Sequence, residues 1–303
     1  MELMPKITRI LAPSDFSPLA EEACSLAARL ANRLEAGLVV FHAIPLLDLT
    51  REMQAMKRRT RESILDDTRE HLRGWTEAAV PGEWRRFLGI EAQVAVGDPA
   101  QEIAAAAGGA DLIVMATHGR SGIGHLVMGS VTAAVLRTAR VPVLALRAGQ
   151  ADRPLTAVKR ILWATDLTPT SAAAWGYALL LADVLAAEVY LLHVVSAAKV
   201  VGGPDLPVPL PGEWLEAELA ARDRDLATMQ EEVGARRLAA RRKVAVGPPA
   251  ATILAEAKAE RADLIVMGTH GRRGLPHVLM GSVAEAVIRK APCPVLAVQA
   301  SSP

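Results

Sequence analysis

Two stretches of the chain combine glycine, histidine, arginine and serine in nearly the same order. Residues 117–130 read THGRSGIGHLVMGS, and residues 269–282 read THGRRGLPHVLMGS. Glycines let a backbone approach an anion closely and adopt positive φ. Arg120, Arg272 or Arg273 can supply positive charge. These residue types therefore predict a loop that binds a phosphate group.

Each stretch ends where a helix is predicted to begin, at Gly129-Ser130 and Gly281-Ser282. A helix N-terminus offers unpaired N–H groups and a partial positive charge. Two or three hydrogen bonds to a charged group, at about 1.5–3 kcal/mol each, outweigh a dipole contribution of about 0.3–1 kcal/mol. The alternative is a tight turn with a good helix start, since short glycine motifs are weak signals. Recurrence between a buried strand and a helix favours phosphate binding.

Several enzyme classes lack their motifs here. Neither half carries a Walker A sequence, a GxGxxG after its first strand, or a GxSxG elbow. The sequence therefore does not support an ordinary P-loop ATPase or a dinucleotide dehydrogenase. No catalytic residue is predicted, because no nucleophile is paired with a base, and any ATP hydrolysis is expected to be slow.

The glycine loops belong to an internal repeat that spans most of the chain. ITRILAPSDFSP at 7–18 recurs as VKRILWATDLTP at 158–169, and ADLIVMATHG at 110–119 recurs as ADLIVMGTHG at 262–271. A repeat of this length predicts two copies of one domain. We place them at residues 1–149 and 157–303, with the polar stretch RAGQADRPLT, residues 147–156, as the linker.

Within each copy, apolar strands alternate with helices, which predicts an α/β fold with a parallel sheet. Ser17-Pro18 is typical of an N-cap followed by a first helical residue. Asp98-Pro99, with Gln101 three residues after the cap, predicts a second capped helix. Residues 51–78 have the period of one amphipathic helix.

Composition limits the remaining function classes. The chain has 303 residues and a net charge of +1, so no overall field favours nucleic acid or an anionic membrane. Cys24 and Cys293 match no metal or redox spacing. The N-terminus does not resemble a signal peptide, and the most apolar run, residues 175–195, contains two acidic residues. We expect a cytoplasmic protein that binds neither nucleic acid nor membrane.

The two glycine loops and the internal repeat resemble those of the universal stress protein family in its tandem-domain form. ATP-binding members carry Gly-x2-Gly-x9-Gly-Ser/Thr at this place. The second half matches it with Gly268, Gly271, Gly281 and Ser282. The first half has Gly119, Gly129 and Ser130, but Ala116 replaces the leading glycine. The resemblance implies two Rossmann-like (adenine nucleotide alpha hydrolase-like) domains, each with a five-stranded parallel sheet and helices on both faces.

The resemblance also implies further contacts around the nucleotide, all at the carboxyl ends of strands. An aspartate after the first strand would contact nucleotide, a backbone position after the second-strand histidine would lie at the adenine, and a glycine follows the third strand. The first half supplies Pro13, Ser14, Asp15, Ala43, Gly97, Ala116, His118, Gly119, Arg120, Gly129, Ser130 and Val131. The second half supplies Ala164, Thr165, Asp166, Val194, Gly247, Gly268, His270, Gly271, Arg272, Gly281, Ser282 and Val283.

Some of these residues have two interpretations. Asp15 and Asp166 could bond ribose or help to hold Mg2+ near phosphates, or they could cap the following helix. His118 and His270 could contact the ligand, or they could be loop histidines bonded to backbone. His42 and His193 lie at the ends of buried strands, and we expect both to have a structural role.

The resemblance implies an ATP-binding, nucleotide-dependent regulator in stress response. ATP, or ADP or AMP in its place, would bind with Mg2+, and an unknown regulatory protein would be the partner. The alternatives are a nucleotide-free protein-interaction module and a slow ATP hydrolase. The final strands, VPVLALR and CPVLAVQ, are expected to pair and make one chain a pseudo-dimer. Dimerisation of whole chains is a second expectation.

Overall fold

The computed structural model describes residues 4–55, 60–85, 88–118, 128–147, 150, 158–196, 212–269 and 280–299. The chain divides into two compact units. The N-terminal unit covers Lys6–Leu155, and the C-terminal unit covers Thr156–Pro303 together with Met1–Pro5. Among the described residues, no helix combines the length and the apolar character that crossing a membrane requires.

The N-terminal unit alternates strands with helices, as predicted. Its strands are β1 (Arg9–Pro13), β2 (Gly37–Ile44), β3 (Ile90–Val96), β4 (Leu112–Ala116) and β5 (Val143–Leu146). Its helices are α1 (Pro18–Leu34), α2 (Leu46–Ala55), α3 (Arg61–Ala79), α4 (Gly82–Arg85), α5 (Pro99–Ala106) and α6 (Ser130–Thr138), with a 3-10 turn at Ala107–Gly109.

The C-terminal unit follows the same order within its described residues. Its strands are β6 (Arg160–Thr165), β7 (Glu188–Val195), β8 (Ala240–Val246), β9 (Leu264–Gly268) and β10 (Val295–Val298). Its helices are α7 (Pro169–Leu185), α8 (Gly212–Ala235), α9 (Pro249–Ala259) and α10 (Ser282–Lys290).

The strands of each unit pair in parallel, which confirms the predicted fold class. The N-terminal unit has the order β3-β2-β1-β4-β5, and the C-terminal unit has the matching order β8-β7-β6-β9-β10. In the first sheet, Ile10 of β1 lies between Leu38 of β2 and Leu112 of β4. The chain therefore leaves β1 toward one side and later returns to its other side.

Helices pack on the sheet of the N-terminal unit, whose central strands are apolar and buried. Four of the five β1 residues and all four β5 residues are buried. Helix α1 packs against β1, β4 and α3, while α5 packs against β2 and α6. Strands buried on both faces need such cover, and β1 becomes the centre of the unit.

The two helix starts predicted from capping residues are confirmed. Ser17 Oγ accepts a hydrogen bond of 3.2 Å from the N–H of Ala20, with Pro18 as the first residue of α1. Asp98 Oδ1 accepts a bond of 3.0 Å from the N–H of Gln101 at the start of α5. Each cap satisfies one N–H group that the helix itself cannot.

The prediction of one helix over 51–78 is wrong. Helix α2 ends at Ala55, and α3 begins only at Arg61. Thr60 between them has extended backbone, and its side chain accepts a hydrogen bond of 3.2 Å from the N–H of Ser63. A threonine that caps a new helix is an N-terminal signal, and the amphipathic period alone did not reveal it.

Candidate functional site

A cavity of about 570 Å³ lies in the N-terminal unit at the carboxyl ends of its central strands. Its wall includes Pro13 at the end of β1, Ala43 next to the last residue of β2 and Ala116 at the end of β4. The start of α6 closes another side. Since β1 lies between β2 and β4, the cavity is at the point where the strand order reverses, which is the usual ligand position in open parallel sheets.

Most of the residues predicted for this half are brought together here. Those that line the cavity are Pro13, Ser14, Asp15, Ala43, Ala116, His118, Gly129, Ser130 and Val131. Gly97 is not among the lining residues, and Gly119 and Arg120 lie outside the described residues. The ligand contacts of all these residues stay a prediction.

The turn between β1 and α1 forms one wall through local hydrogen bonds. Ser14 Oγ accepts from the N–H of Phe16 at 3.0 Å, and Asp15 Oδ1 accepts from the N–H of Ser17 at 3.1 Å. Phe16 has a φ of 62°, which is rare for a bulky residue. Asp15 therefore stabilises the turn that leads into α1, whose N-cap is Ser17, and its ligand contact stays a prediction.

The C-terminal unit repeats this turn with different side chains. Thr165 Oγ1 accepts from the N–H of Leu167 at 2.9 Å, and Leu167 has a φ of 60°. Asp166 Oδ1 accepts from the N–H and hydroxyl of Thr168 at 3.1 and 2.6 Å, and from Ser171 Oγ at 3.0 Å. Backbone strain that recurs at matching positions is typical of a functional turn.

Two histidines join the ends of neighbouring strands. His42 Nδ1 lies 2.7 Å from the carbonyl oxygen of Ser14, and His193 Nδ1 lies 2.8 Å from that of Thr165. A carbonyl oxygen only accepts, so Nδ1 carries the proton in both rings. The contact fixes each strand-end turn against the second strand, which agrees with the structural role predicted for both residues.

A close backbone approach favours glycine at the position before α6. Gly129 N–H donates to the carbonyl of Thr117 at 2.8 Å, and a Cβ on Gly129 would lie 3.2 Å from that oxygen. Thr132 Oγ1 donates to the carbonyl of Ala116 at 2.8 Å and ties the first turn of α6 to β4. Gly281 N–H makes the matching bond to Thr269 at 2.7 Å.

His118 follows β4 and lies on the cavity wall. Its Nδ1 is 2.9 Å from the hydroxyl oxygen of Thr117, so the ring has a side-chain partner next to it. The ligand contact of His118 stays a prediction. His270 lies outside the described residues.

A side chain of the following helix occupies the space beside each glycine that follows a third strand. Gly97 N–H donates to the carbonyl of Ile44 at 3.0 Å, and a Cβ there would lie 2.3 Å from Glu102 Oε1. At Gly247 a Cβ would lie 2.7 Å from Thr252 Oγ1. Both positions leave room for a side chain from the first turn of the following helix.

The sequence reasoning missed Thr132 of α6 and the polar residues that α2 and α3 contribute to the cavity wall. Asp48 and Glu52 line it from α2, and Thr68 lines it from α3. No motif marks them. The only available signal was two acidic residues four apart, which share one face of a helix.

The predicted metal role of Asp15 and Asp166 stays a prediction. Among the described residues, no group of three or more His, Cys, Asp or Glu side chains is arranged to hold a metal ion. Mg2+ usually keeps several waters and binds through one or two carboxylates together with substrate phosphates. One aspartate beside a phosphate site fits that pattern.

The C-terminal unit places its predicted residues at corresponding points. Ala164 and Thr165 end β6, Val194 lies near the end of β7, and Gly268 ends β9. Gly281 precedes α10, whose first two residues are Ser282 and Val283. Gly271 and Arg272 lie outside the described residues.

Comparison with known protein families matches residues 6–147 and again 157–299 to the universal stress protein family. The chain belongs to the universal stress protein family. It contains the family's domain twice, as the internal repeat predicts. The exact bounds 1–149 and 157–303 stay a prediction.

Relatives with this family name occur in archaea and bacteria. A universal stress protein of Methanocaldococcus jannaschii is 38% identical over 147 residues, which are 46% of this chain and 82% of that protein. One of Mycobacterium tuberculosis is 29% identical over 216 residues, 71% of each chain. A crystal structure of a universal stress protein from Archaeoglobus fulgidus matches 96% of this chain and 98% of its own, with 24% identity and a TM-score of 0.67. That structural match supports the fold alone.

Proposed function

We propose that this universal stress protein binds ATP, or ADP or AMP, in each unit and acts as a nucleotide-dependent regulator in stress response. The main support for this proposal is the cavity of the N-terminal unit. It lies at the strand-order reversal, and nine of the residues predicted to contact nucleotide line it. A volume of about 570 Å³ lies within the range of small-molecule sites.

We expect the start of α6 to supply the phosphate contacts. The N–H groups at the start of a helix have no partner within it and point toward an anion placed there. Ser130 is exposed, so its hydroxyl can add a donor. Mg2+ would be held by the phosphates and by Asp15, and it would neutralise part of their charge. No base for water activation is proposed, so hydrolysis would be slow.

Calorimetric titration of the nucleotide-free full chain with MgATP tests the proposal. We expect saturable binding with two nucleotides per chain. Gly129→Val should abolish one site, and Gly281→Val with Ser282→Ala should abolish the other. Gly74→Ala is the matched control, because Gly74 lies on α3 away from the cavity, with nothing within 4 Å of its added Cβ. Absence of saturable binding would refute the proposal and favour the nucleotide-free interaction module.

The leading position of the motif can make the two sites unequal. Ala116 lines the N-terminal cavity, whereas the matching residue in the other unit is Gly268. We expect weaker binding at the N-terminal site and an increase in its affinity in Ala116→Gly. Unchanged affinity in that variant would mean that the methyl group does not contact the ligand.

Pairing of the final strands within one chain is proposed as well, together with dimerisation of whole chains. The apolar ends VPVLALR and CPVLAVQ support the pairing, because exposed edge strands are unfavourable. A protease site inserted in residues 147–156 tests it. The cleaved halves should co-elute on gel filtration at physiological ionic strength. Separate elution would contradict the pairing.

A further inference from the structure

The N-terminal cavity has two ends of opposite hydrogen-bonding character. Helix α6 follows β4 and presents N–H donors at Ser130 and Val131. Helix α2 follows β2 and presents the carboxylates of Asp48 and Glu52. Since β1 separates β2 from β4, the two helix starts stand about two strand spacings apart, or roughly 10 Å.

The α2 end presents acceptors from more than one element. Thr68 Oγ1 donates its proton to the carbonyl of Ile64 at 2.7 Å and can therefore only accept from a ligand. Asp48 has Arg51 near its Oδ1 at 3.7 Å, in an exposed i,i+3 pair of the kind that contributes little. A ligand group that donates hydrogen bonds therefore finds several acceptors at this end.

The wall between the two ends is mostly apolar. Phe41, Ile44, Pro99, Ile103 and Met115 line it. A flat ring can pack there with its faces on carbon, while its edge reaches polar groups. An anion at the α2 end would meet two carboxylates, so the phosphates belong at α6 and the base at α2.

We propose that Asp48 and Glu52 select nucleotides whose base carries an exocyclic amine, by accepting hydrogen bonds from it. The inference rests on the proposed function and adds a specificity role for two residues that no motif marks. Removal of a charge-assisted hydrogen bond at a partly exposed site corresponds to about a tenfold change in affinity.

The test compares ATP with purine riboside 5′-triphosphate, which lacks only the amine. It uses the full chain carrying Gly281→Val and Ser282→Ala, so that only the N-terminal cavity is measured by calorimetry. We expect ATP to bind about tenfold more tightly than the analogue. Asp48→Ala with Glu52→Ala should bring the affinity ratio close to one.

The ratio distinguishes recognition from general electrostatics, because loss of negative charge would strengthen both triphosphates alike. Glu62→Ala is the control, since Glu62 is exposed at the start of α3 and does not line the cavity. Equal affinities in the parent, an unchanged ratio in the double variant, or no ATP binding in this background would each overturn the inference. Failure of the wild-type chain to bind ATP would instead refute the proposed function.

Discussion

At the residue scale, the repeated aspartates make different hydrogen bonds at the two ends of each sheet. Asp15 and Asp166 follow the first strand of their units and receive hydrogen bonds from the next helix start. Asp111 lies at the opposite end, where Oδ2 accepts from the backbone and hydroxyl of Thr8, both at 2.7 Å. Asp263 makes the matching backbone contact with Lys159 at 2.9 Å. Repetition alone therefore does not indicate ligand binding. A repeated aspartate is a candidate ligand contact only when it lies at the carboxyl end of a strand.

The burial of Cys24 raises the pKa of its thiol. The thiol is 1% exposed, and desolvation, helped by the charge of Glu21, raises its pKa from 9.0 to about 12. A raised pKa favours the protonated form in the folded state. Cys24 therefore contributes stability that is fully present below pH 9.0 and is lost as the pH rises toward about 12.

We predict that the free energy of unfolding falls by about 1.4 kcal/mol between pH 8 and pH 10 on account of Cys24. Cys24→Ala should lack this part of the decrease, whatever its stability at pH 8. Urea unfolding of both proteins at the two pH values measures it. The burial of Tyr190 raises its pKa as well and acts in both proteins equally. Identical pH dependence in the two proteins would contradict the prediction.

At the element scale, local chemistry made some features predictable and left others hidden. The caps Ser17 and Asp98 could be predicted because a cap depends on a few adjacent residues. The break at Thr60 stayed hidden because the apolar period continues across it, although Thr60 is itself a capping residue. Asp48 and Glu52 were also hidden, since only the placement of α2 brings them to the cavity.

Helix α3 contains a glycine that the packing does not require. Gly74 is exposed in the interior of the helix, and nothing lies within 4 Å of an added Cβ. We predict that Gly74→Ala raises the free energy of unfolding by about 0.5–1 kcal/mol, because alanine loses less backbone entropy in a helix. Thermal and urea unfolding measure the gain.

The same substitution at Gly129 is the control with the opposite expected sign. Its Cβ would lie 3.2 Å from the carbonyl oxygen of Thr117, a backbone atom that cannot easily yield. Gly129→Ala should therefore lower stability. Equal effects of the two substitutions would mean that space around the glycine does not decide the outcome.

At the scale of the whole molecule, the two units build different cores on one plan. Ala12 and Cys24 in the first unit correspond to Trp163 and Trp175 in the second, whose ring centroids lie 4.6 Å apart. The turn after the first strand nevertheless has the same geometry in both units. So does the glycine that precedes α6 in one unit and α10 in the other. The units therefore keep one backbone geometry where the nucleotide is proposed to bind, although their cores differ.

This agreement leads to a prediction about the whole chain with one site disabled. In Gly281→Val with Ser282→Ala, MgATP should slow amide hydrogen exchange at the start of α6 and leave the start of α10 unchanged. A ligand at one hundred times its Kd stabilises the state that binds it by about 2.7 kcal/mol, so local opening of α6 becomes about a hundredfold rarer. Hydrogen–deuterium exchange with mass spectrometry measures both helices in one experiment. Gly129→Val, with the second site intact, should reverse the pattern, and equal slowing at both helices in either variant would show that the two sites do not act separately.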